Sequence, residues 1–181
     1  MSTVIALTSL PRDSLIRVKV SATNAKGVGQ YSEVNTAGAT IETVPTSLIV
    51  VSYDIPSTTN VATEVVWTAL TGSSRGGMNV AITDYEVYWD QSTGVWVTLA
   101  NTTSLFAAQS GLTGGVTYAY KVRAYNKYGA GPFTASISVM TSQAPSQPAA
   151  PVVAVVGGYV NISWTAPFAN YRPVTAYQIL I

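Results

Sequence analysis

Asp84 and Glu86 stand two residues apart in the run Ile82-Thr-Asp-Tyr-Glu-Val-Tyr-Trp89, the closest pair among eight scattered acids. Adjacent carboxylates are what general acid–base or glycosidic chemistry requires, provided one of them stays protonated. What those acids do therefore depends on the charges that face them. The chain has no His and no Cys, which removes the commonest general base, the commonest metal ligand and any thiolate site together. A Ca²⁺ site needs six to eight converging oxygens, and no Asp-rich loop is present. Arg75-Gly76-Gly77 is not an Arg-Gly-Asp adhesion motif and reads as a flexible turn. These residues point to no catalytic centre, no metal and no cofactor, hence to a protein that is not an enzyme.

Two motifs do carry chemistry. Asn101-Thr-Thr103 and Asn161-Ile-Ser163 fit the N-glycosylation acceptor pattern. Asn101 is expected in the connection before a strand, and Asn161 alternates with inward Val160 and Ile162, so it faces solvent. N-linked glycans at both positions would supply the solubility that charge usually provides. Charge is scarce here: 9% of residues are charged against 48% apolar, and the net charge is +1. A near-neutral chain has no electrostatic footprint for nucleic acid. No run of 18 apolar residues exists, so nothing in the sequence reads as a helical membrane span. The opening run Val4-Ile-Ala-Leu7 is too short for a secretory leader, lacks a basic region before it, and reads as a strand.

The elements that position these residues come from an internal repeat. Val18-Lys-Val-Ser-Ala-Thr-Asn-Ala-Lys-Gly-Val-Gly29 matches Tyr120-Lys-Val-Arg-Ala-Tyr-Asn-Lys-Tyr-Gly-Ala-Gly131 at a constant offset of 102 residues, which also lays Leu10 on Leu112. A second repeat lays Val65-Val-Trp-Thr-Ala69 on Ile162-Ser-Trp-Thr-Ala166, and Tyr85 on Tyr177, with extra residues in the loop at 72–79. Proline-bearing joints follow at 43–46 and 142–151, the second expected to be extended and semi-rigid. Alternating runs rich in Val, Ile, Thr, Tyr and Trp predict strands near 48–53, 62–68, 82–90, 94–100, 103–109, 116–126 and 134–141. A period of two puts Tyr118, Tyr120, Val122 and Ala124 on one face and Lys121, Arg123 and Tyr125 on the other.

A Trp on the second strand, Tyr-x-Val on the third and Leu112-x5-Tyr118-x3-Val122-x-Ala124-x-Asn126-x2-Gly129-x-Gly131 resemble the fibronectin type III pattern along the whole chain. The resemblance implies an all-β fold of tandem fibronectin type III-like, immunoglobulin-like sandwiches. It makes Tyr118 a corner tyrosine whose hydroxyl closes onto nearby backbone, where the first unit carries Ile16. It also pairs the third strand with the sixth, so that Asp84 and Glu86 face Lys121 and Arg123. Cations opposite would keep both acids ionised, and a cross-strand ion ladder is expected in place of a dyad. Asn24 and Asn126 each open a loop ending in Gly-x-Gly, which reads as turn geometry.

The expected organisation is the C-terminal half of a domain at 1–43, a complete domain at 44–142 and an N-terminal half at 143–181. Each half would expose a torn inward face, with Trp164 and Tyr177 on one and Ile16, Val18 and Val20 on the other. Packing between these two sets in neighbouring copies would build an open head-to-tail homopolymer. The leading functional expectation is an extracellular or cell-surface structural fibre, glycosylated and self-associating. The alternatives are a cell-surface adhesion or receptor module that binds protein or carbohydrate, for example through the loop at 72–79, and an accessory domain of a secreted enzyme.

Overall fold

Strand-forming alternation of side chains dominates the computed structural model, which describes residues 10–47 and 51–181. The strand expected across 4–7 and the first three positions of the one expected at 48–53 lie outside the described residues. Among its described residues the first piece holds four short strands, β1 (Leu15–Ile16), β2 (Thr23–Asn24), β3 (Gly27–Val28) and β4 (Ala39–Thr40), with β1 paired to β4 and β2 to β3. The middle unit holds β5 (Val51–Tyr53), β6 (Ala62–Trp67), β7 (Ile82–Trp89), β8 (Val97–Thr102), β9 (Phe106–Ser110), β10 (Thr117–Asn126), β11 (Gly129–Ala130) and β12 (Ile137–Met140). A hairpin of β13 (Val152–Val156) and β14 (Tyr159–Ser163) follows.

All pairings are antiparallel and divide the middle unit into two sheets. One runs β5-β6-β9; the other runs β11-β10-β7-β8, with β12 also on β10. The fourth strand starts at Val97, three residues later than its expected start, because a turn intervenes. Asp90 holds that turn by accepting from the Ser92 and Thr93 amides, at 2.9 and 2.8 Å, while Gln91, Ser92 and Gly94 take positive φ. Asn101 consequently lies inside β8, opposite Glu86, and not in a connection.

The core sits between the sheets. Val65 and Trp67 of β6, Tyr85 and Val87 of β7, and Tyr118, Tyr120, Val122 and Ala124 of β10 are all buried. The predicted inward face of β10 is therefore the observed one. Complete burial of each valine is worth about 1.5–3 kcal/mol, so this face carries much of the domain's stability. The Tyr118 hydroxyl accepts the Thr113 amide at 3.1 Å, closing the corner that the family resemblance implies.

One buried polar bridge crosses the sheets: the hydroxyls of Thr63 and Tyr120 meet at 2.6 Å. Burial pushes the Tyr120 hydroxyl pKa up, and the Thr63 bond opposes this only in part. Tyr120→Phe leaves the buried Thr63 hydroxyl without its partner, at an expected cost of about 1–3 kcal/mol. Thr63→Val with Tyr120→Phe, which removes both polar groups, should recover part of that loss in urea denaturation. Equal losses for the single and double variants would show that the unpaired Thr63 hydroxyl carries no penalty.

Candidate functional site

The outward face of β10 carries Lys121, Arg123 and Tyr125 at a period of two, against Tyr88, Glu86 and Asp84 of β7 in register. Arg123 meets one Glu86 oxygen through Nη2 at 2.5 Å and Nε at 2.6 Å, and the Tyr125 hydroxyl donates to the same oxygen at 3.1 Å. This is half of the expected ladder. Asp84 stands opposite Tyr125 and accepts from the Thr83 hydroxyl at 2.9 Å. Lys121 faces rings instead of an acid: its Nζ is 4.2 Å from the centroid of Trp96, 4.7 Å from Phe133 and 5.7 Å from Tyr88. Arg123 also packs on Phe133, at 4.4 Å from its centroid. Cations and rings thus alternate along the strand, each contact worth about 0.5–1 kcal/mol at a partly exposed site. The sequence reading missed Trp96 and Phe133. Both sit outside the strands, and only sheet pairing and loop return bring them to Lys121.

The second feature is the joint on either side of the middle unit. A short 3-10 turn at Gly72–Arg75 opens the loop after β6, and this loop grips the first piece. The Thr43 amide donates to Gly76 O at 2.8 Å, and the Thr46 amide to Ser74 O at 2.9 Å. Asp13 accepts from the Met78 amide at 2.7 Å and from the Ser73 hydroxyl. Arg12 reaches Thr43 Oγ1 and Ser73 O, both at 3.1 Å. Glu42 accepts from Lys127 at 2.7 Å and from the Tyr128 hydroxyl at 2.6 Å. The segment read as a flexible turn and as a candidate binding loop is therefore engaged within the chain.

Asn126 completes that joint. Its Oδ1 accepts the Tyr128 amide at 2.8 Å, the turn geometry expected from sequence, and Asn24 does the same for the Lys26 amide at 2.8 Å. Its Nδ2 also donates to Thr43 O and Arg75 O, both at 2.8 Å, tying the linker to the loop. No local pattern predicts this second role.

Asp13 and Glu42 give the first joint a pH response. The Ser73 hydroxyl and then the Met78 amide hold the Asp13 pKa below its ordinary value; Lys127 and then the Tyr128 hydroxyl do so for Glu42. A carboxylate whose pKa is lowered by a contact stabilises it at neutral pH, and that contribution is lost as pH falls through the lowered value. Acidification below about pH 4 is expected to loosen the first joint. Among the described residues the second joint has no acid among its contacts, and it should hold. Label-to-label distances across each joint, followed with pH, test this; an equal response of both joints would contradict it.

The remaining predicted positions are also placed. Asn101 and Asn161 are exposed on β8 and β14. Trp164 and Tyr177 meet edge to face at 5.2 Å and line a shallow cleft with Ile162 and Ile179. Val18 and Val20 are 56% and 67% exposed on the first piece, and Ile16 is half-buried in β1. Among the described residues no three His, Cys, Asp or Glu side chains cluster to hold a metal, and no helix is long and apolar enough to cross a membrane.

Among the described residues, a three-plus-five-stranded sandwich with a closed tyrosine corner is the fibronectin type III architecture, and the middle unit has that fold. A crystal structure of consecutive titin domains shares the fold, with a TM-score of 0.50 and 21% identity over 73% of this chain and 42% of that one. No family model matches the chain. Human contactin-3 is 33% identical over 172 residues, which cover 90% of this chain and 16% of contactin-3. Chicken contactin-5 is 28% identical over 184 residues, covering 96% of this chain and 17% of that protein. The chain thus spans about one sixth of the length of the curated relatives it matches.

Proposed function

We propose that the chain is a non-enzymatic portion of an extracellular or cell-surface adhesion or receptor-type protein. The observation that carries this reading is the likeness to contactin-3 along 90% of the chain. It favours the adhesion alternative over the structural fibre expected from sequence. The contact face in this reading is the cation–aromatic strip of β10, where Arg123, Trp96 and Phe133, with Lys121 held between the rings, offer the Arg- and aromatic-rich surface that interfaces use. Beads coated with the chain should be retained on cells that carry its partner, and Trp96→Ala with Lys121→Ala should abolish retention while leaving the fold intact. Retention unaffected by that double variant would move the contact face elsewhere; no retention on any cell type would sink the adhesion reading.

The division at 43/44 and 142/143 into a half, a whole and a half domain belongs to the same reading. So do glycans on Asn101 and Asn161, which peptide mapping of the protein from a secreting eukaryotic cell would reveal. A second reading is favoured by the exposed apolar faces. Val18 and Val20 on one piece and Trp164, Tyr177 and Leu180 on the other are 38–87% exposed, a large area to leave in water. Head-to-tail packing of these faces between copies would cover them. Concentration-dependent sedimentation that Trp164→Ser abolishes supports it. A monomer in a longer chain, with both sandwiches completed by their own residues, refutes it.

A further inference from the structure

The two joints are built from the same positions of the repeat. The Asp13 amide bonds Ile41 O and the Ile41 amide bonds Ser14 O, as the Gly115 amide bonds Thr141 O and the Thr141 amide bonds Val116 O. Downstream, the Thr43 amide to Gly76 O and Thr46 amide to Ser74 O are answered by the Gln143 amide to Asn170 O, at 3.4 Å, and the Ser146 amide to Phe168 O, at 3.0 Å. Gly76 and Asn170 both take positive φ, at 104° and 50°, as do Asp13 and Gly115, at 66° and 79°. Each joint is thus one backbone frame, in which a loop of the downstream unit faces the linker and a turn of the upstream one.

Within that shared frame the side chains are exchanged. In the first joint the turn carries the large pair Arg12 and Asp13, and the loop position that faces it is Gly77. A β-carbon on Gly77 would stand 3.3 Å from Asp13 Oδ1 and 3.2 Å from the Glu42 side chain. In the second joint the turn is Gly114-Gly115 and the loop carries Tyr171 at the position of Gly77. The Tyr171 ring lies so close over the two glycines that a β-carbon on Gly114 would overlap it, and one on Gly115 would come within 2.5 Å of Tyr171 Cδ1. The knob is on the upstream turn in one joint and on the downstream loop in the other. Two knobs would collide, and two glycines would leave a void.

We infer that each joint is a keyed interface that fixes the orientation of successive sandwiches and accepts only its own neighbour, so the order of units is encoded by reciprocal size at turn and loop. The partner of the Gly114-Gly115 surface is a sandwich whose loop presents an aromatic ring; the partner of the Arg12-Asp13 surface is one whose loop presents glycine and a free amide. The key includes polarity as well as size. Asp13 takes the Met78 amide, whereas the ring and diglycine contact is apolar, so the first joint weakens in acid or salt and the second does not.

The absence of cysteine lets spin labels be placed at Val95→Cys and Asn161→Cys, both exposed, on either side of the second joint. Double electron–electron resonance on the full chain should give one narrow distance distribution. Tyr171→Gly is expected to broaden it at least twofold, and so is Gly114→Arg with Gly115→Asp. Asp13 already occupies the left-handed conformation that the second of these substitutions needs. Combining all three copies the key of the first joint into the second and should narrow the distribution again. A label pair inside the middle unit, Val61→Cys with Val95→Cys, should stay unchanged throughout, which separates a loosened joint from an unfolded sandwich. Widths that do not change in Tyr171→Gly, or a triple variant as broad as the glycine-turn double, would overturn the inference.

Discussion

Replacing Trp67 with alanine is expected to cost about 3–5 kcal/mol, a large part of the 5–15 kcal/mol that holds a domain folded. The indole is 5% exposed, its ring lies 5.6 Å from that of Tyr85, and it belongs to the core cluster with Tyr120 and Val122. Both sheets press on it, so little of the void left by truncation can close. Its Nε1 is buried without a hydrogen-bond partner, which makes Trp67→Phe the informative companion. Phenylalanine keeps most of the contact and removes an unpaired donor, so its cost should be well below that of alanine. Urea denaturation of the three proteins measures both differences. An alanine variant within about 1 kcal/mol of the parent would mean that the core tolerates a cavity it has no visible means to fill.

Gly76→Val should open the first joint while leaving the middle sandwich folded. Gly76 has φ of +104°, a conformation that costs a β-branched residue about 1–3 kcal/mol. The new β-carbon would also fall on the Thr43 carbonyl oxygen and Asn126 Nδ2. The substitution therefore disturbs three bonds at once: the Thr43 amide to Gly76 O and the two that Asn126 Nδ2 donates, to Thr43 O and Arg75 O. Local destabilisation of that size raises hydrogen exchange of the Thr43 and Thr46 amides roughly ten- to a hundredfold. Amides of Val87 and Val122 should keep their protection. Unchanged exchange at Thr43 would show that the loop does not hold the linker; loss of protection at Val122 would place the effect in the core.

The sheets and their inward faces were legible in the chain. Alternation is local information, and a period of two assigns Tyr118, Tyr120, Val122 and Ala124 to one side without knowledge of the partner strand. The 102-residue repeat then aligned the units, because equivalent turns need equivalent residues: Asn24 and Asn126 bond their own backbone in the same way. Strand ends were less legible. Asn101 was placed in a connection because nothing near it shows that the Asp90 turn delays β8.

Side-chain partners across the sheets and joints were decided by the tertiary structure. Arg123 found Glu86, as register predicts, while Lys121 left the acids for Trp96 and Phe133, which arrive from loops whose path no local pattern records. Gly76-Gly77 read as flexibility, since glycine permits many conformations; in place, those glycines admit Thr43, Asn126 and Asp13 at close range. The sequence by itself determined which residues of the middle unit's long strands face inward and which segments repeat, because both follow from spacing along one chain. How one unit meets the next was decided only by the fold, because a joint brings together residues some 30 to 85 positions apart whose fit is a matter of shape.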